Sequence, residues 1–441
     1  MFDRIRARAL TRVDIASLAA FRIIFGTVML FGILRFLATG WIEPMYGEPT
    51  WFFKYPGFSW VAPWSVTGMY IHYAVLAALA LAIALGAFYR AAIVLFTLGF
   101  LYTQLIDVTN YLNHHYLVVL LGLLLAFLPA NAAWSVDARR DPSIARATIP
   151  AWFLWLLRFQ VGVVYVFAGL AKAKVDWLGY GQPLNLWLAA RTETPLVGPL
   201  FGAPSFALAM SWAGFFFDTT IVAWLSWRRT RLVAYAALIV FHGITGYLFN
   251  IGMFPLIMTS SALLFFSPSW PRRLLRLPTI IAEGKAPPPR RLVVHAIAIY
   301  VAFQLLVPLR HLVLPGDVLW NERGMRFAWH VLIREKHGAV TFIAVLADKK
   351  QLEVPAHNYL TPRQEREMSG QPDLIVQLAH HIASDLRRRG YPVTAILART
   401  AVSLNGRGPI EMMDPSLDLL TSPPSTWVRP APPEPPPTVT N

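Results

Sequence analysis

Apolar residues run through this chain in long blocks, not in the alternations of a soluble sheet protein. The blocks are Ile15–Leu37, Met69–Phe88, Ala91–Leu105, Tyr111–Ala130, Ala151–Ala171, Phe206–Trp227, Leu232–Phe249, Met253–Phe266 and Leu292–Leu314. A helix that crosses a bilayer needs about 20 mostly apolar residues. The blocks therefore predict a mostly α, polytopic transmembrane helical bundle of about nine spans over residues 1–314. The third and eighth are short, so the count is open by one. Beyond Leu314 the texture changes. Phe342–Leu346 and Thr394–Leu397 read as short strands. Pro372–Arg389 reads as an amphipathic helix, with Pro372 at its start, a Leu374, Leu378, Ile382 face and Gly390 closing it. Residues 315–421 thus predict a small C-terminal α+β domain. Residues 422–441 are too rich in proline to build a core and are expected to be disordered. Ala282–Arg291 reads as a linker.

Composition agrees with the pattern. Of 441 residues, 56% are hydrophobic and 14% charged, against about 25% charged in an ordinary soluble domain. The mean hydropathy is +0.48. Cysteine is absent, which excludes disulfides, thiolate chemistry and Cys-based metal sites. The net charge of +15 is placed between apolar blocks and not along soluble helices, so it speaks of topology and not of nucleic acid. Alternate loops carry it: Arg4 to Arg12, Arg90, Arg139 to Arg146, Arg228 to Arg231, and Arg272 to Arg291. The opposite loops hold only Lys54, Lys172, Lys174 and Arg191. The positive-inside rule puts the N-terminus in the cytoplasm and, with nine spans, the C-terminal domain outside it. No small-residue cleavage site follows the basic start, so the first block is expected to remain as a span.

Polar residues at span depth are costly and mark function. Three groups fall at one end of the bundle: Asp107, Asn110, Asn113, His114 and His115; Lys172, Lys174 and Asp176; His242 and Asn250. Each also has an ordinary use. Lysine at a helix end snorkels, a lone histidine bonds a carbonyl, and asparagine caps a helix. Adjacent His114 and His115 point to different helix faces, which disfavours a shared metal, and none is expected. Asp218, in the sixth block, is expected to pair with Arg158 in the fifth.

At these same residues the sequence resembles the vitamin K-dependent gamma-glutamyl carboxylases and their bacterial relatives, the HTTM domain proteins. The resemblance is carried by NHHYL at Asn113–Leu117, QVGVVYVFAGLAKAKVDW from Gln160 to Trp177, and FHGITGYLFNIGMFPLIMTSSALLFFSPSWPRR from Phe241 to Arg273. A last stretch runs from Arg326–Trp329 through Tyr359–Pro362 to Ser403–Arg407 and Asp414–Pro415. The resemblance implies an integral membrane enzyme, in a bacterial inner membrane, that uses a reduced vitamin K or menaquinol-type quinone, O2 and CO2. The quinol would be deprotonated and react with oxygen, and a glutamate of an exported protein or peptide would be carboxylated. It implies Lys172, Asn113 and His114 as catalytic residues. His242, Ile251, Phe254 and Met258 would contact the quinone, and Lys336, with Arg334, would be contributed by the C-terminal domain.

The chemistry suits those types. A lysine is a base only when neutral, and burial disfavours the ammonium. His114 or Asn113 can hold the amine and orient a quinol hydroxyl. The chain departs from the animal enzymes at Ala171, where they carry a second lysine, and at Lys174, where they carry an acid. It also becomes a Pro-rich tail where they continue, so propeptide-guided carboxylation is not expected. The competing expectation is a non-catalytic quinone- or lipid-binding, or transport, membrane protein of the same family. The acceptor, the quinone and the oligomeric state are not legible in the sequence.

Overall fold

A computed structural model of the chain describes residues 2–280 and 283–437. Ala282, at the head of the expected linker, and residues 438–441 of the expected tail lie outside the described residues. Among the described residues, nine apolar helices build the bundle. They are α1 (Ala16–Ala38), α2 (Val66–Leu85), α3 (Tyr89–Leu105), α4 (Asn113–Phe127), α5 (Ala151–Ala171), α6 (Pro204–Ser226), α7 (Arg231–Leu248), α8 (Phe254–Ala262) and α9 (Arg291–Leu309). Six of them (α1, α2, α5, α6, α7 and α9) are long and apolar enough to cross a membrane, while α3, α4 and α8 are shorter. The fourth apolar block thus yields a third short helix, because Asp107 and Asn110 divert the chain into a single 3-10 turn, Val108–Asn110, before α4 begins. Phe25, Phe96, Leu121, Leu157 and Val161 join one buried core that links α1, α3, α4 and α5. At one end of the bundle, Asp14, before α1, accepts from Arg272 at 2.9 Å.

The C-terminal domain packs two helices on a three-stranded antiparallel sheet. Its elements are β1 (Lys336–Leu346), β2 (Gln351–Pro355), α10 (Pro362–Ser369), α11 (Pro372–Arg388) and β3 (Val393–Leu404), with sheet order β2–β1–β3. Phe342 in the central strand sits opposite Val354 and Ala398. Leu374, Leu378 and Ile382 of α11 are fully buried in the domain's core, as the 3.6-residue period requires. The expected strands are both present and longer than predicted. The sequence reading missed β2, a mostly exposed edge strand whose polar residues give no buried pattern.

As far as Pro437, the Pro-rich end lies against the domain and the bundle. Val428 bridges Met413, and Trp427 and Ala431 pack on the domain's core. Pro437 accepts from Gln182 Nε2 at 2.7 Å, and Glu434 accepts from Arg407. Proline has no N–H to satisfy, so an extended strap of prolines needs few partners to lie against a surface.

The domain caps the end of the bundle opposite Asp14. Gln364 donates to Asp107 at 2.8 Å and to the Trp51 carbonyl. Gln377 and Lys54 exchange side-chain and backbone bonds at 3.0 and 3.1 Å. Trp329 is fully buried in the bundle's core and stacks on Tyr116 of α4.

Candidate functional site

The site begins with a close approach of α5 and α6. A β-carbon on Gly169 would lie 2.5 Å from Thr219 Cγ2 and 2.7 Å from its backbone nitrogen. Only glycine allows that contact, and it brings the end of α5 against Asp218. Lys172 caps the C-terminus of α5, where the helix dipole favours a cation. Its ammonium donates to Asp218 Oδ2 at 2.8 Å, to the Ala168 carbonyl at 3.1 Å and to the Val331 carbonyl at 3.4 Å. The side chains of Lys172 and Asp218 are 6% and 7% exposed, so the pair is sealed from solvent. Trp177 stands 5.4 Å from the lysine nitrogen. Asp218 therefore does not pair with Arg158, as expected from sequence. Arg158 donates instead to the carbonyls of Leu264 and Phe266.

Lys172 and Asp218 form one wall of an apolar cavity with about 880 Å³ of empty space, its mouth included. Trp187, Leu188, Met210, Phe241, Leu248 and Phe249 supply much of the rest. Val331 and Leu332 of the C-terminal domain close one side. His242 of α7 also lines the cavity; its Nε2 pairs with the Tyr165 hydroxyl at 2.8 Å. Its Nδ1 is buried with no hydrogen-bond partner. A buried polar atom is costly to leave without a partner, so Nδ1 is available to a group bound in the cavity.

Of the residues singled out from sequence, Lys172, His242, Ile251 and Phe254 line this one cavity. Asn113 and His114 are not part of its lining but lie close by. Asn113 Nδ2 donates to the His330 carbonyl at 3.1 Å, and Lys172 donates to the next carbonyl, Val331. Consecutive peptide groups of the C-terminal domain thus tie Asn113 and Lys172, two of the three expected catalytic residues, together. The Phe254 ring lies 6.1 Å from that of His114 and 6.0 Å from that of His242. Met258 is fully buried in the bundle's core instead of the cavity wall. His115 bonds Gln104 at 2.8 Å.

Lys336 and Arg334 do not reach the cavity. Both converge on Glu322, Arg334 at 2.8 Å and Lys336 at 3.5 Å, and Lys336 also donates to the Trp320 carbonyl. Burial pushes the Lys336 ammonium down to about 8. The segment between Trp329 and Leu332 reaches the bundle, and chain direction then turns the next two basic residues into the domain. Asp176 accepts from Nη1 and Nη2 of Arg407 and from Asn405. Burial opposes its ionisation, yet these bonds hold its carboxyl below the usual range. Asp218, Tyr165 and Trp177 are site residues that the sequence reading did not assign. An acid in the middle of an apolar block is the one signal that pointed to Asp218.

Comparison with known families gives two matches. The model described as HTTM domain matches residues 10–270, more than half of the chain. The model described as vitamin K-dependent gamma-carboxylase, lumenal domain, matches residues 289–434. No solved structure matches the chain. The two matches fall on the bundle and on the domain that caps it, so the cavity they share lies in an integral membrane protein of the HTTM, vitamin K-dependent gamma-carboxylase-like family.

Proposed function

We propose that this protein is a quinol-dependent carboxylase, with Lys172 as the base and the cavity beside it as the quinone site. The observation that carries the reading is a lysine–aspartate pair sealed from water in the wall of an apolar cavity. The family description implies a quinone cofactor, and the residues present fit one. A quinone is an apolar ring with oxygens on its edge, and the cavity offers apolar walls with a few polar groups, among them Lys172 Nζ and His242 Nδ1. Such sites use few fixed polar groups. When bound, the reduced quinone supplies the reducing equivalents that activate oxygen.

The chain's own residues then hold and move protons. The 2.8 Å contact lets one proton move from Lys172 to Asp218. The neutral amine this leaves is a base for a quinol hydroxyl. The Tyr165 bond fixes the His242 ring, leaving Nδ1 for a ligand oxygen. Leu332 and Val331 exclude water, which a strongly basic reaction requires. Asn113 acts here as a positioning residue that holds the His330–Val331 peptide against Lys172. We further propose that the C-terminal domain lies outside a bacterial inner membrane, facing an exported protein or peptide, with the basic loops in the cytoplasm. Reporters fused after Arg291 and after Leu420 should read cytoplasm and exterior; a cytoplasmic reading at Leu420 overturns that placement.

One observation favours a second reading, a non-catalytic quinone- or lipid-binding, or transport, protein. All three ammonium protons of Lys172 have acceptors, which is how a purely structural lysine is held. Purified protein given a reduced naphthoquinone and oxygen decides between them. Oxidation of the quinol above the rate in detergent alone supports the enzyme, and binding without turnover supports the second reading.

A further inference from the structure

One wall of the cavity belongs to neither of the protein's two large cores. The short helix Leu184–Ala189 lies between α5 and α6 in the chain. It presents Leu184, Trp187 and Leu188 to the cavity, the spacing that shares one helix face. Leu184 and Leu188 are buried in a small cluster of their own with Phe201, Ala207 and Leu248, apart from the core of the bundle and that of the C-terminal domain. Elements that share few apolar contacts with a main core are the ones that open at low cost. On its other side the helix meets the C-terminal domain, where Leu186 lies against Gly406.

The polar link across that contact is Trp187 Nε1, which donates to Glu335 Oε2. Glu335 is itself held in place. Its N–H donates to Asn405 Oδ1 at 2.9 Å, its carbonyl accepts from the Asn405 N–H at 2.8 Å, and its other carboxylate oxygen pairs with His337. The Trp187 ring stands edge-on to Phe249, 5.3 Å between centroids, and both rings line the cavity. An indole N–H turned into apolar space would lack a partner, which is costly. Glu335 takes this polar edge out of the cavity and leaves it the ring's apolar body.

We propose that the short helix Leu184–Ala189 is a lid on the cavity and that Glu335, through Trp187, latches it shut. The proposal rests on the quinone reading and adds how the occupant is admitted and retained. Glu335 is a positioning residue, acting through the ring it holds. The ordinary alternative is a tryptophan whose polar edge finds a partner at the membrane surface, in a wall that does not move.

A lid and a fixed wall differ in kinetics. A lid must open for a ligand to enter and to leave, so loss of its latch populates the open state and raises both rates together. A fixed wall that loses a support only lets its ligand go sooner. Purified full-length protein is mixed with 2-methyl-1,4-naphthoquinone in a stopped flow, and quenching of tryptophan fluorescence is followed. Glu335→Leu should raise the association and dissociation rates alike, by about tenfold to a hundredfold, the worth of one charged hydrogen bond. The dissociation constant should stay nearly unchanged. Glu335→Gln keeps a carbonyl acceptor and should remain close to wild type. Trp187→Phe keeps a ring without the N–H and is the second variant, should Glu335→Leu not fold. It should match Glu335→Leu, with Trp177 in the same wall still reporting. Unchanged rates in a folded variant of either kind overturn the lid, as does faster dissociation alone, and both results leave the quinone reading intact. A wild type that binds no naphthoquinone overturns the quinone reading and the lid with it.

Discussion

Two buried lysines in this protein each face a carboxylate. Lys172 meets Asp218 in the bundle and Lys336 meets Glu322 in the C-terminal domain. Burial does not distinguish them, since both side chains are almost wholly covered. What differs is the surroundings. Glu322 is shared with Arg334, and Lys336 is further held by the Trp320 carbonyl, so that cluster is closed on itself. Lys172, held also by the Ala168 and Val331 carbonyls, and Asp218 line an apolar cavity, beside the Nδ1 of His242. A buried ion pair is weak evidence of function; a buried ion pair that lines an apolar cavity is a far stronger sign.

The contrast can be broken first by stability. Asp218→Asn or Lys172→Ala alone leaves a charge buried without its partner and should destabilise by about 3–5 kcal/mol. The double variant Lys172→Met/Asp218→Asn removes both charges and should recover most of that loss. Thermal unfolding in one detergent measures all three. A single variant as stable as wild type contradicts the pairing. It follows that Lys172→Ala is a poor test of catalysis by itself, because it confounds loss of a base with a stranded Asp218.

A smaller effect is expected at the seam. Asp176→Ala removes the two-pronged contact with Arg407 and should cost about 1.5–3 kcal/mol, the range for hydrogen bonds to charged groups. The loss should appear as faster amide exchange in Ser403–Arg407 and in the strap beyond Ser422. Unchanged exchange there would mean that the seam is held by its apolar contacts alone.

The smallest effect concerns Lys336. Its value in the folded protein is about 8, below its ordinary 10.5, because of burial. Between those values the unfolded chain binds more protons, so this group adds stability as pH rises through the window and withdraws it as pH falls towards 8. Wild type should gain a few °C in Tm over Lys336→Met between about pH 8 and 10.5. Parallel curves for the two proteins would show that Lys336 is not buried as described.

Much of this was legible beforehand, for reasons that can be named. Long apolar blocks have one stable use, so the nine helices follow from the sequence. The α11 face follows from its period, because Leu374, Leu378 and Ile382 have only one core to enter. What escaped was through-space pairing. Asp218 was visible as an acid in an apolar block, but its partner depended on the Gly169–Thr219 contact that sets α5 against α6. The tie between Asn113 and Lys172 runs through the carbonyls of His330 and Val331, and a backbone acceptor leaves no mark in the residue types.

The central claim is that a quinol drives carboxylation of glutamate and that the Lys172–Asp218 pair supplies the base. The direct measurement is mass spectrometry of a glutamate-containing peptide after incubation with purified protein, a reduced naphthoquinone, oxygen and bicarbonate. The account predicts a gain of one carboxyl group on glutamate with wild type. With Lys172→Met/Asp218→Asn, a folded protein that still binds the quinone, it predicts a loss of about 10²–10⁴-fold. Carboxylation undiminished in the double variant would contradict it.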